Sequence, residues 1–149
     1  MAITDSYEYV LSHNPLVIRR RVRWGDCDPA GVVYTGRFTE YLLSAVTHFF
    51  SELADGPYMQ WIESIGVDTP CKGMDLAFHY ALWPEDEFDM TCRVGEIREH
   101  SFDIMVEAVR VDGKRTFSGR FSPICIGRTV RARVPIPEAM RLRLVGFQK

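Results

Sequence analysis

The run Trp24-Gly25-Asp26-Cys27-Asp28-Pro29-Ala30-Gly31-Val32-Val33-Tyr34 separates two kinds of periodicity in this sequence. Before it, Leu16 to Trp24 is rich in β-branched and long side chains and reads as a strand. Inside it, two glycines and a proline break any regular element and mark a loop. After it, from about Thr35, Phe38, Tyr41, Leu42, Ala45, Phe49 and Leu53 recur at three- and four-residue steps, the apolar stripe of a helix. Leu43, Val46 and Phe50 extend that stripe, so the helix is expected to be buried over most of its circumference.

Farther out, Pro57 to Ile65 reads as a shorter helix that stops at Gly66. The period then changes to two. Met74, Leu76, Phe78, Tyr80 and Leu82 alternate with smaller or polar residues, as do Met90, Cys92 and Val94, and then Phe102, Ile104, Val106 and Ala108. Asp112-Gly113 is a hairpin signal and leads into a last strand from about Arg115 to Ile126. The tail, with Pro135 and Pro137, predicts one short helix from Pro137. A strand, a long helix and four more antiparallel strands make an α+β domain, one curved antiparallel sheet of about five strands covering the long helix.

With 149 residues, the chain is expected to form one domain over residues 1–149. Hydrophobic residues are 46% and charged residues 26%, and the net charge of −2 gives no basic field to attract nucleic acid. Arg19-Arg20-Arg21 and Arg23 lie on a strand, alternate faces and have no interleaved aromatic residues. They are expected to pair with the acid-rich segment from Glu85 to Glu107. The longest charge-free stretch, Tyr41 to Ser51, is well short of the roughly 20 residues that span a membrane. Residues Met1 to Ser6 lack the basic start and apolar run of a signal peptide. Cys27, Cys71, Cys92 and Cys125 form no C-x-x-C pair, so reduced thiols and a cytoplasmic location are expected. His79 has no neighbour at metal-ligand spacing, and neither a metal nor a cofactor is expected.

The loop holds two carboxylates, Asp26 and Asp28, ahead of a helix N-terminus. Unpaired N–H groups there favour negative charge and can polarise a carbonyl under attack. A carboxylate beside them supplies a nucleophile or a general base. Taken by itself, however, the loop also reads as an ordinary turn, because Asp and Pro are common turn residues.

The same run, as Asp-x-Asp-x-x-Gly-Val-Val-Tyr before a helix bearing Phe38 and Tyr41, resembles the signature of the 4-hydroxybenzoyl-coenzyme A thioesterase family of hotdog proteins. The resemblance covers roughly residues 15 to 140, including the Arg98–Ser101 turn and the Asp112-Gly113 hairpin. It implies the hotdog fold and hydrolysis of an acyl-coenzyme A thioester. It also implies homodimers with sites between subunits, often paired into homotetramers. By this resemblance the catalytic carboxylate falls on Asp28, which would attack the thioester or activate water. The oxyanion donor falls on the backbone N–H of Thr35, and Asp26 holds the loop. Tyr34, Phe38, Tyr58 and Trp61 are candidates for the acyl pocket. Arg98, His100, Ser101 and Arg128 lie where the family contacts the nucleotide. Thr35-Gly36-Arg37 departs from relatives that carry an aromatic and an Asn there, which leaves the acyl group open. Carrier-protein thioesters, or acyl-coenzyme A binding without turnover, remain as alternatives.

Overall fold

The computed structural model describes residues 6–148; residues 1–5, part of the segment read above for a leader, lie outside the described residues. A hairpin of β1 (Glu8–His13) and β2 (Leu16–Arg21) is followed by the helix α1 (Thr35–Ala54) and the shorter α2 (Tyr58–Ser64). Then come β3 (Val67–Asp68), β4 (Cys71–Phe78), β5 (Glu87–Ile97), β6 (Phe102–Arg110), β7 (Arg115–Pro123), β8 (Ile126–Gly127) and α3 (Glu138–Val145). Six strands form one sheet in the order β1-β2-β5-β6-β7-β4, every neighbouring pair antiparallel. The short β3 and β8 pair separately.

The apolar stripe of α1 lies across the concave face of this sheet. Phe38, Tyr41, Leu42, Ala45, Val46, Phe49 and Leu53 are buried, in one cluster with Leu16, Ile18, Phe88, Met90, Ile104, Val106 and Phe117. Each such large side chain contributes about 1.5–3 kcal/mol by leaving water. Gly119, central in β7, lets the helix approach closely: a Cβ built there would stand 2.9 Å from Leu42 Cδ1. The buried face of α1 is narrower than expected, since Leu43 remains 40% exposed.

The sixth strand, β1, has an inverted pattern. Its half-buried positions carry Glu8, Val10 and Ser12, while Tyr9 and Leu11 are exposed. A polar inside and an apolar outside hide the period-two signal. β2 ends at Arg21 rather than Trp24, because Trp24–Asp26 form a 3-10 turn. β4 ends at Phe78, where His79 and Tyr80 both donate backbone N–H groups to Thr116 O and the chain turns away. β7 ends at Pro123, and Ile126 belongs to a strand of its own.

β4 forms one edge of the sheet. Met74 and Phe78 share the concave-side register with Leu76, yet they are 41% and 52% exposed. Open edges with apolar side chains invite pairing with another strand. No helix among the described residues is long and apolar enough to cross a membrane.

Candidate active site

The quoted loop is a small closed turn. Cys27 bridges Val33, the Asp28 N–H donates to Val32 O at 2.9 Å, and Gly31 N–H donates back to Asp28 O at 2.9 Å. Gly31 sits at φ 87°, a left-handed conformation that suits glycine. Val33 N–H then bonds Leu82 O at 2.9 Å, which fastens the turn to the segment after β4. Asp28 is half-buried on this turn. Its Oδ1 accepts the Ala30 N–H at 2.8 Å, and Oδ2 has no bonded partner among the described residues.

Asp26 is different. It is 2% exposed, and its Oδ2 accepts both the Arg23 N–H (3.1 Å) and the Tyr41 hydroxyl (2.9 Å). Its backbone O accepts the Tyr34 N–H at 3.3 Å, and Arg37 Nε stands 3.7 Å from Oδ1. One acid is therefore consumed in holding the loop, and the other keeps an oxygen free.

Tyr34 is the N-cap of α1, with extended φ −79° and ψ 155° and no side-chain cap. As the first helical residue, Thr35 has an N–H with no carbonyl of its own helix to bond. It borders a cavity of about 350 Å³ lined by Val33, Phe38, Phe78, His79 and Tyr80. Phe38 and Phe78 meet edge to face at 5.0 Å, and His79 Nε2 is 3.1 Å from Ser118 Oγ. Tyr34 is 40% exposed beside this mouth, its ring folded over Gly36, where an added Cβ would stand 2.6 Å from Cε2. The wall residues Phe78, His79 and Tyr80 were not singled out as site residues in the sequence. Their alternation reads as strand, and the Val33–Leu82 bond together with the Phe38–Phe78 contact brings the segment to the helix terminus.

The remaining candidates gather at the opposite end of the sheet. Phe50 lies fifteen residues beyond Thr35, roughly 22 Å along the axis, and stacks on Tyr58 at 4.2 Å. Burial pushes the Tyr58 phenol upward despite its bond to Thr69 Oγ1. Trp61 packs 6.2 Å from Tyr58 and lies under the Arg143 guanidinium at 4.6 Å. A second cavity, about 360 Å³, opens here between Phe50, Tyr58, Met59, Ile62 and Thr69. The bridge between Ser101 and Ile124 sets the Arg98–Ser101 turn beside the strand that runs into Arg128. Ser101 is buried. Arg98 grips Asp103 with both terminal nitrogens at 3.0 and 2.8 Å, and Arg128 bonds Val67 O and Asp68. His100 Nδ1 is buried with no bonded partner among the described residues. Within one chain, then, Tyr34, Thr35 and Phe38 meet at the helix start, with Asp28 on the turn that leads into it, while Trp61, Arg98, Ser101 and Arg128 lie apart from them.

The arginine run behaves as expected only in part. Arg19 pairs with Asp89, but Arg20 turns inward to Glu8.

Comparison with known proteins adds the family. The model of the thioesterase-like superfamily matches residues 22–144. The chain belongs to this superfamily. Among curated thioesterase-like relatives, the 4-hydroxybenzoyl-CoA thioesterase of Pseudomonas sp. (strain CBS-3) is 27% identical over 88 residues, 58% of this chain. That match spans 62% of the relative's length. A thioesterase-superfamily structure from Jannaschia sp. CCS1 superposes with a TM-score of 0.78 at 26% identity, covering 89% of this chain and 92% of that one. A gentisyl-coenzyme A thioesterase gives 0.73 at 24% identity over 86% and 98%. A 1,4-dihydroxy-2-naphthoyl-CoA thioesterase from Synechocystis gives 0.76 at 18% over 87% and 94%. These likenesses fix the fold of this thioesterase-like chain as the hotdog.

Proposed function

We propose that this chain hydrolyses acyl-coenzyme A thioesters, with Asp28 as the catalytic carboxylate and the Thr35 N–H as the oxyanion donor. The observation that carries this reading is the free oxygen of Asp28 on a turn whose other end delivers an unpaired helix N–H to a cavity. A thioester carbonyl in that cavity gains negative charge on attack, and the N–H and helix terminus stabilise it. Two routes are open to this carboxylate. In one, Asp28 adds to the carbonyl carbon, coenzyme A leaves as its thiolate, and water cleaves the resulting anhydride. In the other, Asp28 takes a proton from water as that water adds, and the same thiolate leaves. The Phe38 and Phe78 walls suit a flat acyl group, in keeping with the aromatic acyl groups in the names of the relatives.

The two separated groups of residues support a dimer. Antiparallel pairing of β4 with a second copy's β4 sets Phe78 of one chain near Cys71 of the other. The cavity at Thr35 then adjoins the second copy's Tyr58, Trp61, Arg98 and Arg128 region, whose arginines suit the phosphates of coenzyme A. Two such dimers would form a homotetramer. The four unpaired cysteines fit a reducing cytoplasm.

The test is steady-state release of free thiol from a panel of acyl-coenzyme A thioesters. Asp28→Asn should lose at least ~10²-fold in kcat with the substrate still bound. Near-normal turnover by a folded Asp28→Asn protein sinks the mechanism.

A further inference from the structure

We propose that Tyr41, buried beneath the loop, is a positioning residue for the hydrolytic site, acting through Asp26 to hold Asp28 and the Thr35 N–H in register. The proposal rests on the reading of Asp28 and Thr35 given above.

Tyr41 is fully buried, just under two turns into α1. Its hydroxyl reaches one acceptor, Asp26 Oδ2, at 2.9 Å. Burial, with the neighbouring Asp26 carboxylate, raises the phenol well above its ordinary value, so Tyr41 keeps its proton and is the donor. Asp26 then acts on both ends of the turn that carries Asp28. Its side chain takes the Arg23 N–H on the way in, and its backbone O takes the Tyr34 N–H on the way out. Tyr34 is the residue before Thr35. The donor N–H and the reacting carboxylate are thus indexed to a single buried residue, whose carboxylate meets the helix at the Tyr41 hydroxyl and, less closely, at the Arg37 guanidinium.

The tyrosine itself is clamped. Arg20 lies over its ring at 4.6 Å and over Tyr7 at 5.0 Å on the other side. Glu8 holds Arg20 at 2.6 Å and accepts the Ser44 hydroxyl. Phe38 and Phe88 pack against the ring at 5.9 and 5.1 Å. With the ring so confined, the hydroxyl has little freedom to follow a displaced Asp26. Without it, a buried carboxylate lacks one donor and draws in water or moves out. A shift of about 1 Å between reacting groups is enough to cost up to 10²-fold in rate.

The experiment compares Tyr41→Phe, Asp26→Asn and their double variant with Phe49→Leu, a buried change two turns farther along the same helix. Each is measured for kcat, KM and Tm, with Asp28→Asn as the reference for loss of chemistry. Tyr41→Phe keeps the ring and its packing, and should lose about ten-fold or more in kcat with KM within about twofold. The double variant should lose no more than the worse single one, because both act through one bond. Phe49→Leu should lower Tm and leave kcat unchanged. If Tyr41→Phe does not fold, Asp26→Asn carries the same expectation for kcat and KM. Full kcat in either single variant, additive losses in the double, or an equal loss in Phe49→Leu at matched Tm overturns the positioning role. Retained activity in Asp28→Asn instead overturns the functional reading beneath it.

Discussion

Replacing Thr35 tests whether an amide, rather than a side chain, polarises the substrate. Thr35→Pro deletes the N–H, and the local backbone accommodates the ring. Proline is at home at the first helical position, where no intrahelical bond is lost. The residue before it must be extended, and Tyr34 already is, at φ −79° and ψ 155°. The Thr35 side chain is exposed and makes no cap bond. Folding stability should therefore hold or rise by about 0.4–1 kcal/mol through a stiffer unfolded chain. The rate should behave otherwise. Losing one oxyanion donor costs on the order of 10²-fold in kcat, about 2.7 kcal/mol of transition-state stabilisation. Thr35→Ala keeps the amide and should keep most of the rate. Thiol release at saturating substrate gives kcat for each variant, and circular dichroism with a thermal melt shows whether each folds. Equal rates for the Ala and Pro variants would place the polarising group elsewhere and remove the helix terminus from the mechanism.

Other expectations follow from packing and charge. Gly119→Val should push Leu42 and Leu76 off the sheet, cost about 1–3 kcal/mol and lower Tm by about 2–4 °C for each of them. A melt within 1 °C of the parent would mean the helix is not seated on that strand. Burial alone would raise the Asp103 carboxyl, but the bonds from Arg98 and Ser122 and the charges of Arg98 and Arg120 outweigh it and hold the group below its ordinary value. Such a depressed group lends stability above the unfolded value of about 3.9, and loses it as pH falls through the lower folded value. Tm should thus fall steeply below about pH 4, and Asp103→Asn should be less stable at neutral pH with a shallower acid loss. Identical acid profiles would contradict the pairing. Sedimentation should show a dimer or larger, and a monomer fully active at assay concentration would refute the shared site.

The sequence made the helix legible because seven buried positions keep helical spacing without interruption. The strands from β4 to β7 were legible because each presents one apolar face. β1 was not, since Glu8 occupies an inward position that only Arg20, Ser44 and His48 make tolerable. Burial would raise the Glu8 carboxyl, and the His48 and Ser44 bonds with the Arg20 charge reverse the shift. Partners so far apart in sequence leave no local pattern. The same holds for the site. The Asp28 turn and helix start are contiguous and could be read directly, whereas His79 and Tyr80 reach the cavity through long-range contacts of their segment: their own bonds to Thr116, the Phe38–Phe78 packing and the Val33–Leu82 bond. Tyr41 looks in sequence like one more position of an apolar stripe, and its hydroxyl acquires a purpose only when Asp26 is seen above it.

The strand order also sets a timetable for synthesis. β2 lies beside β5, with Leu16 paired to Cys92, so the first hairpin waits seventy-six residues for its neighbour, roughly 4–15 s on a ribosome. For the later part of that interval, once α1 has been made, its stripe lacks most of the sheet that covers it, and an uncovered hairpin is a template for a neighbouring nascent chain. Glu8 and Arg20, which end as a buried pair, are solvated charges on the waiting hairpin's inward side. They discourage it from zipping onto another chain until β5 emerges to claim it.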